Sequence, residues 1–241
     1  MVSLPPTMRR MLPVLAMLSA AGPLAIDMYL PAFPALSREL GVPASQVQLT
    51  LTAFLLGLAL GQLCIGPLSD GWGRRRPLLA GTAACFVASL ACTFAPDIHT
   101  LTLARFAQGV SGAAGVVLAR AIIADTTRGP ALAKTMGIMM MIGGVAPITA
   151  PAVGSLLLGL GGWRTVFGVL ALAVALMFVG VWRRLPETLP PSARHGSGLR
   201  ELLRGARGVL GERVFLGYLL TNVGAFAALF AYISASPFVL Q

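Results

Sequence analysis

Charged side chains are rare in two long apolar segments of this sequence, and those that occur there are candidates for chemistry. Asp27 is the only charged residue between Met11 and Ser37, and the segment from Ile98 to Ala124 holds two, Arg105 and Arg120. An ionised group inside a membrane costs about 2.5–3.5 kcal/mol on insertion scales, so it usually has a functional role or a partner. A buried carboxylate near a guanidinium can bind and release a proton as its surroundings change.

Glycine, aspartate and arginine are closely spaced in "GPLSDGWGRRRPLL". Glycines suit a tight backbone turn, and Asp70 would end a helix where the helix dipole does not favour an anion, so it requires a donor. A turn whose arginines only orient the chain is the alternative. The spacing favours a charge cluster that can hold one conformation, formed by Gly66, Asp70, Gly73, Arg74 and Arg75.

Two further apolar stretches have residues at helical spacing. In "RFAQGVSGAAG" Arg105 and Gln108 are three residues apart and share a helix face, and the glycines permit a neighbouring helix to approach closely. In "GGVAPITAPAVGS" Pro147 and Pro151 are four residues apart, followed by Gly154. Prolines inside a helix free carbonyl groups and bend it.

The elements that carry these residues are predicted to be membrane-spanning helices. The chain is 56% hydrophobic and 11% charged, its mean hydropathy is +0.83, and soluble domains carry about 25% charged residues. Stretches of about 18 apolar residues are candidates for spans, and hydrocarbon requires each span to be helical. Seven such stretches cover residues 11–37, 40–69, 77–96, 98–124, 135–163, 165–182 and 214–241. We therefore predict an all-α integral membrane protein.

Helix positions place the two main charges at similar depth. We expect helix 1 over about 10–32, with Asp27 toward its outer end, and Arg105 about one and a half turns inside the outer end of helix 4. If both helices line one cavity, the two charges can meet. The alternative is that Asp27 forms local hydrogen bonds in "DMYLP", where Pro31 would end the helix.

The basic residues predict an orientation and not a nucleic-acid partner. The net charge is +10. With the N-terminus inside, the inner loops hold fourteen basic residues, whereas the outer loops hold only two, Arg38 and Arg164. This asymmetry is the positive-inside bias. The first apolar stretch is longer than a signal peptide, and the three cysteines lie in predicted spans, without the spacing of a metal site. The sequence has no nucleotide-binding G-x-x-x-x-G-K-[ST] motif and no enzyme constellation.

The predicted layout has three parts. Residues 1–183 form an N-terminal six-helix transmembrane bundle, residues 184–213 a basic cytoplasmic linker, and residues 214–241 a seventh transmembrane helix. A six-helix bundle followed by a linker is typical of half a transporter whose second half is a related repeat. The seventh helix would begin that second bundle, so we expect the sequence to be a fragment of a longer protein.

The motifs resemble those of a known family. "GPLSDGWGRR" is similar to the G-x-L-a-D-r-x-G-r-k signature of the major facilitator superfamily, and "RFAQGVSGAAG" to its R-x-x-Q-G element. "AIDMYLPAFPAL", "APITAPAVG", "LPETL" and "FAYISASPFVLQ" resemble the Bcr/CflA branch of multidrug efflux transporters. The resemblance runs from about Ala25 to the last residue. One departure is Ala124, where that branch would have another basic residue, and this puts an inner charge pair in doubt.

The resemblance implies roles for the residues singled out above. Asp27 and Arg105 would couple transport to protons, the glycine–aspartate–arginine cluster would form the inner gate, and Pro147, Pro151 and Gly154 would form the helix 5 motif of drug/proton antiporters. The substrate cavity would be lined by Tyr29, Gln48, Thr52, Gln108, Met140, Asn222 and Tyr232.

The resemblance also implies an activity and a location. We expect a proton-coupled secondary transporter in the bacterial inner membrane, with a cytoplasmic N-terminus, that exports drugs by alternating access. Its partners would be a small hydrophobic or cationic substrate, protons and the lipid bilayer, with no cofactor, metal, nucleotide or nucleic acid. The alternatives are an importer of a metabolite on the same scaffold and a truncated fragment that does not transport.

Overall fold

A computed structural model describes residues 5–194 and 211–239 of the chain, and every regular element in these ranges is helical. The part of the predicted linker at 195–210 lies outside the described residues. The long helices are α1 (Pro6–Asp27), α2 (Phe33–Leu40), α3 (Ala44–Trp72), α4 (Arg75–Thr93), α5 (Ile98–Thr126), α6 (Gly129–Arg184) and α7 (Arg213–Val239). Short 3₁₀ turns occupy Leu30–Ala32 and Pro191–Ala193.

Helix α6 is two helices that meet at a glycine pair. Gly161 and Gly162 have non-helical backbone angles, and the φ of +75° at Gly162 is readily adopted only by glycine. The first arm (129–160) and the second arm (163–184) run in opposite directions along α1. Six apolar segments in the described chain are long enough to span a membrane. Because α6 contains two crossings, the prediction of an all-α membrane bundle with seven crossings is confirmed.

The first crossing is longer than predicted and is interrupted in its middle. Helix α1, the turn at Leu30–Ala32 and α2 form one apolar segment of 35 residues, Pro6–Leu40. Pro31 and Pro34 lack the amide hydrogen that a continuous helix needs there. The crossing nevertheless continues for roughly 20 Å beyond Asp27. Asp27 therefore lies closer to the middle of the crossing than the expected helix end near residue 32 would place it.

The turns define two sides of the bundle. The N-terminal side holds the start of α1, the α3–α4 turn and the ends of α5 and α6, whereas the far side holds the end of α2, the α4–α5 turn and the glycine pair of α6. One cluster of buried apolar side chains, around Met8, Leu118 and Met177, lies toward the N-terminal side. A second, around Phe33 and Phe167, lies toward the far side. Arg105 lies among the side chains of this second cluster, and Asp27 lies between two of its members, Ile26 and Met28.

Helices α3 and α5 pack backbone to backbone. A Cβ atom at Gly57 would overlap the carbonyl oxygen of Phe106, and one at Gly109 would overlap that of Phe54. Only glycine permits helices to approach this closely. The expectation that glycines of "RFAQGVSGAAG" allow such an approach therefore holds at Gly109. The contact fixes α5, which carries both arginines of the predicted fourth crossing.

Replacement of Gly109 by alanine is expected to lower thermal stability, because the carbonyl of Phe54 is backbone and cannot rotate aside. Overpacking of this kind costs about 1–3 kcal/mol of the free energy of unfolding. The midpoint of heat-induced loss of monodisperse protein, followed by size-exclusion chromatography in detergent, measures the effect. Gly112→Ala is the matched control, since its nearest neighbour, Cys85 Sγ, is 3.8 Å from the new Cβ. Equal midpoints for the two variants would contradict the close approach.

Candidate functional site

Arg105 of α5 is completely buried and enclosed by aromatic rings. Its Cζ atom lies 4.2 Å from the ring centre of Phe54, 4.8 Å from that of Tyr29 and 5.6 Å from that of Phe167. The rings come from three elements: α3, the interruption of the first crossing and the second arm of α6. The faces of aromatic rings attract a desolvated cation, so they compensate part of the cost of burying the guanidinium.

The hydrogen bonds of Arg105 are incomplete. Its Nη1 donates to Oε1 of Gln108 at 2.6 Å, and Nε2 of Gln108 donates to Oγ of Ser89 at 2.9 Å. The Nε and Nη2 atoms of Arg105 are buried without an acceptor. A buried donor that lacks an acceptor is costly. The guanidinium therefore retains donors for an anionic partner on its unsatisfied side.

Tyr29 packs against this arginine in the interior of the bundle. The side chain is fully buried, its ring lies 4.8 Å from Phe33 and 5.0 Å from Phe167, and its hydroxyl is 2.8 Å from Oγ1 of Thr50. Because Thr50 donates to the carbonyl of Val47, the tyrosine hydroxyl is the donor to Thr50. Tyr29, predicted to line the substrate cavity, is instead part of the core that surrounds Arg105.

Asp27 faces a different region. It is the last residue of α1, is 9% exposed, and lies on the wall of a cavity of about 690 Å³. Among the described residues it makes no hydrogen bond or ion pair, so the structure does not bring it together with Arg105. The turn amides of Met28 and Tyr29 donate to the carbonyls of Leu24 and Ile26. Local hydrogen bonds to Asp27, the alternative interpretation of "DMYLP", are therefore also not formed here.

The cavity around Asp27 is lined by five elements. Helices α1, α3 and α5, the first arm of α6, and α7 each contribute, α3 only through Leu58, and their side chains are mostly apolar. Arg120 of α5 is the basic residue that shares the cavity with Asp27. The lining comprises Ser19, Gly22, Pro23, Ile26, Asp27, Leu58, Val116, Arg120, Met136, Met139, Met140, Gly143, Pro147, Phe226, Leu229 and Phe230.

The other residues predicted to line the substrate cavity are divided between several places. Met140 lines it with Asp27, and Gln108 borders a separate, smaller cavity next to Cys85. Exposed positions outside these cavities are occupied by Thr52, Asn222 and Tyr232, and a half-buried one by Gln48. The amide of Asn222 donates to its own helix, at the carbonyl of Tyr218. The predicted cavity residues thus lie on several different faces of the bundle.

The motif predicted on helix 5 lies on the first arm of α6, next to the interruption of the first crossing. Pro147 lines the Asp27 cavity, and Pro151 is half-buried one turn further along the first arm of α6. A Cβ atom at Gly154 would overlap the backbone of Met28, which directly follows Asp27. Gly154 therefore lets the first arm of α6 pack against the point at which α1 ends.

The predicted charge cluster forms on the N-terminal side. Arg74 donates from Nη1 to Oδ1 of Asp70 at 2.6 Å and to Oγ of Ser69 at 2.6 Å, and from Nε to Oδ2 of Asp125 at 3.0 Å. Its side chain is 11% exposed. Burial works to lower the pKa of Arg74, but the hydrogen bonds to Asp125 and Asp70 outweigh it, so the pKa is raised. The guanidinium therefore ties the α3–α4 turn to the end of α5.

Glu187, to which the sequence patterns assign no role, completes this cluster. Its carboxylate accepts hydrogen bonds from the backbone N–H groups of Arg74 at 2.8 Å, Arg75 at 3.3 Å and Leu189 at 3.1 Å. Burial works to raise the pKa of Glu187. The three hydrogen bonds and the positive charge of Arg194 outweigh it and hold the pKa below its ordinary range. Gly73 is required at this turn because its φ is +89° and a Cβ would overlap the Glu187 carboxylate.

The remaining residues of the cluster anchor neighbouring elements. Arg75 donates from Nε to the carbonyl of Leu185 at 2.9 Å and from Nη2 to that of Trp182 at 2.9 Å, which satisfies the end of α6. The carbonyl of Gly66 accepts the hydroxyl of Ser69, and no atom lies within 4 Å of a Cβ built at Gly66. Glu187 lies in "LPETL", but Arg74 and Arg75, whose backbone N–H groups donate to it, are more than a hundred positions earlier in the sequence.

A second ionic contact closes the far side. Glu39 at the end of α2 pairs with Arg164 at the start of the second arm of α6, and it also accepts a hydrogen bond of 2.9 Å from Nε1 of Trp163. The guanidinium of Arg164 lies 4.1 Å from the ring centre of Trp163 and donates to the carbonyl of Ala95. This contact ties the first crossing to the second arm of α6 and to the α4–α5 turn.

The sequence matches a family model over most of its length. The model, described as Major Facilitator Superfamily, matches residues 15–241. The chain is 44% identical to an uncharacterized MFS-type transporter, YdgK, of Bacillus subtilis. The match spans 230 residues, which are 95% of this chain and 57% of that protein. It is 33% identical to a bicyclomycin resistance protein homolog of Haemophilus influenzae, over 93% of this chain and 56% of that protein. It is 32% identical to the multidrug transporter MdfA of Yersinia pestis, over 94% of this chain and 55% of that protein.

A solved structure has a similar fold. The human organic anion transporter MFSD10 superposes with a TM-score of 0.67 at 21% identity, over 82% of this chain and 53% of that one. At this identity the likeness concerns the fold alone. The chain spans about half the length of the curated relatives it matches.

Replacement of Glu187 by glutamine is expected to lower thermal stability at neutral pH, because the uncharged amide cannot stabilise the α3–α4 turn as the carboxylate does. A depressed pKa contributes stability that is present above the pKa of the unfolded chain and is lost as pH falls through the folded value. The difference between the wild type and Glu187→Gln should therefore shrink as pH falls from 7 to below about 4. Thermal midpoints across this range measure the difference.

The control for this experiment is Glu212→Gln, since Glu212 is exposed and makes no ion pair among the described residues. Its midpoint should follow that of the wild type at every pH. A stability loss in Glu187→Gln that stays constant down to pH 3 would show that the charge of Glu187 is not the stabilising feature.

Proposed function

The chain belongs to the major facilitator superfamily, and from this premise we propose that it forms part of a proton-coupled secondary transporter that exports drugs or similar hydrophobic molecules. The observation that carries the proposal is the unpaired carboxylate of Asp27, nine-tenths buried on the wall of a largely apolar cavity of about 690 Å³. Ligand sites of transporters lie near the middle of the membrane. A cavity of this size and lining suits a small organic molecule.

The coupling that we propose is competition at Asp27. The ionised carboxylate has no partner among the described residues, so either a proton or a donor group of the substrate must stabilise it. A substrate that enters from the inner side would displace the proton, and a proton that enters from the outer side would release the substrate. This exchange uses the proton gradient without any other co-reactant.

Arg105 would contribute through its two unsatisfied donors. They are held near the interruption of the first crossing by the rings of Tyr29, Phe54 and Phe167. A small rearrangement of residues 28–32 would change the distance between this guanidinium and the carboxylate of Asp27. Arg105 is thus the available counter-charge for Asp27 in a second conformation of the transporter.

Two observations support export and the orientation. The arginine-rich cluster around Arg74 lies on the N-terminal side, as the positive-inside bias requires for a cytoplasmic N-terminus. Relatives at 32–33% identity are named a bicyclomycin resistance protein homolog and a multidrug transporter. Both names favour export across the inner membrane over import of a metabolite on the same scaffold.

Replacement of Asp27 by asparagine is expected to abolish proton-driven export, because the amide cannot exchange a proton, while Asp27→Glu should keep a measurable fraction. The assay follows ethidium accumulation, with and without a protonophore, in a host without its own efflux pumps. It is run for the 241-residue chain and for any reading frame that continues past Gln241. Protonophore-sensitive exclusion that survives unchanged in Asp27→Asn would refute the coupling role.

Asp97→Asn is the matched control for this carboxylate. Asp97 begins α5 on the far side, and its Oδ1 accepts the backbone N–H groups of His99 and Thr100 at 2.9 Å. Asparagine caps a helix about as well as aspartate. This variant should therefore export as the wild type does, which separates the removal of a carboxylate in general from its removal at Asp27.

A further inference from the structure

Arg120 gives the Asp27 cavity a second charge, of opposite sign. From this pair we infer that the preferred ligand is a zwitterionic or strongly dipolar amphiphile, with a donor or cationic group for Asp27, an anionic or acceptor group for Arg120, and an apolar body between them. The inference rests on the proposed function in that it names the substrate class of the same cavity. It makes Arg120 the residue that determines specificity.

Arg120 is placed to meet a ligand and not to pack. It lies four residues after Val116 on α5, and both side chains line the cavity. Val116 contacts Gly22 of α1, where a Cβ atom would lie 3.7 Å from Cγ2 of the valine. One turn further toward the N-terminal side, Arg120 is exposed, so its guanidinium projects beyond the contact between the two helices.

Three arginines in the core of the bundle or at its ends have partners that Arg120 lacks. Arg74 pairs with two carboxylates, Arg164 pairs with Glu39, and Arg105 is enclosed by rings and bonded to Gln108. Arg120 makes no hydrogen bond or ion pair in the described part of the chain. A charge inside a membrane crossing requires a partner or a function, and the opposite unpaired charge that shares its cavity is that of Asp27.

The space between the two charges restricts which ligands can contact both of them. Asp27 and Arg120 lie on the same cavity without forming an ion pair, so a molecule that fits between them can satisfy both. The lining of the same cavity includes Met136, Met139 and Phe230. Methionine and aromatic side chains adapt to varied apolar bodies, which fits a ligand class defined by its two ends.

The charges also determine when the ligand leaves. With Asp27 ionised, the two charges sum to zero, so a zwitterion finds a complement at each end, whereas a simple organic cation is attracted by Asp27 and repelled by Arg120. When Asp27 takes up a proton, the cavity keeps only the positive charge of Arg120. The cationic end of the ligand is then repelled, so proton uptake and ligand release are linked.

Two dyes that differ by one methyl ester test the inference. Rhodamine 110 is a zwitterion at neutral pH, and its methyl ester, rhodamine 123, is a cation of nearly the same shape. Binding of each dye to the purified chain in phosphatidylcholine nanodiscs is measured by fluorescence anisotropy, with empty nanodiscs subtracted. The wild type should bind rhodamine 110 more tightly than rhodamine 123.

Replacement of Arg120 by glutamine should weaken rhodamine 110 binding roughly tenfold, the size expected for one charge contact in a partly hydrated cavity. Rhodamine 123 binding should stay the same or become tighter. Arg120→Lys keeps the charge and should keep the wild-type preference. Arg128→Gln is the control, because Arg128 is an exposed arginine on the N-terminal side that does not line the cavity.

Two results would overturn the inference. One is a wild type that does not prefer the zwitterion, and the other is an Arg120→Gln variant that binds both dyes as the wild type does or weakens both equally. Size-exclusion profiles identify a variant that has lost its fold, and Arg120→Lys then provides the comparison. Because binding is measured without a proton gradient, failure of this inference is distinct from failure of proton-driven export in the Asp27→Asn experiment.

Discussion

The organisation of this chain depends on the cost of placing charge in hydrocarbon. An ionised side chain within the membrane must be enclosed by protein or paired, and the charged groups occur at three levels that meet this requirement differently. Carboxylates and arginines pair on the N-terminal side around Arg74 and on the far side around Glu39. Between them, Arg105 is enclosed by aromatic rings, and the charges of Asp27 and Arg120 face a cavity.

The interruption of the first crossing separates the two environments of the middle level. Asp27 ends α1 on the cavity wall, whereas Tyr29, only two residues later, is buried beneath Arg105. Residues two apart on a helix already point about 200° from each other, and at this interruption the backbone of Met28 meets Gly154. The prolines of the turn and the absent side chain of Gly154 together make this arrangement possible.

The sequence was sufficient for the fold, but for only part of the candidate site. Apolar segment lengths predict the crossings, and the spacing around Asp70 predicts the Arg74 cluster, because both depend on neighbours along the chain. The face that a helix turns toward its neighbours is not predictable in this way: Asp27 and Arg105 could meet if both helices lined one cavity, but in the structure they face different surroundings. Glu187 reaches Arg74 from the end of α6, a contact that no local pattern contains.

The positions of the ion pairs restrict how the cavity can change. The far-side contact joins α2 to the second arm of α6, and the N-terminal cluster joins α3 and α4 to the end of α5 and to the segment after α6. The parts of the Asp27 cavity that come from α1, α3, α5 and the first arm of α6 therefore belong to segments that are tied at an end or continue into one that is. Helix α7 also lines the cavity; its Phe226 and Phe230 stack with ring centres 6.4 Å apart, and most of its described side chains are exposed. Neither of these ionic contacts includes α7, which meets the rest of the bundle through apolar side chains such as Phe230.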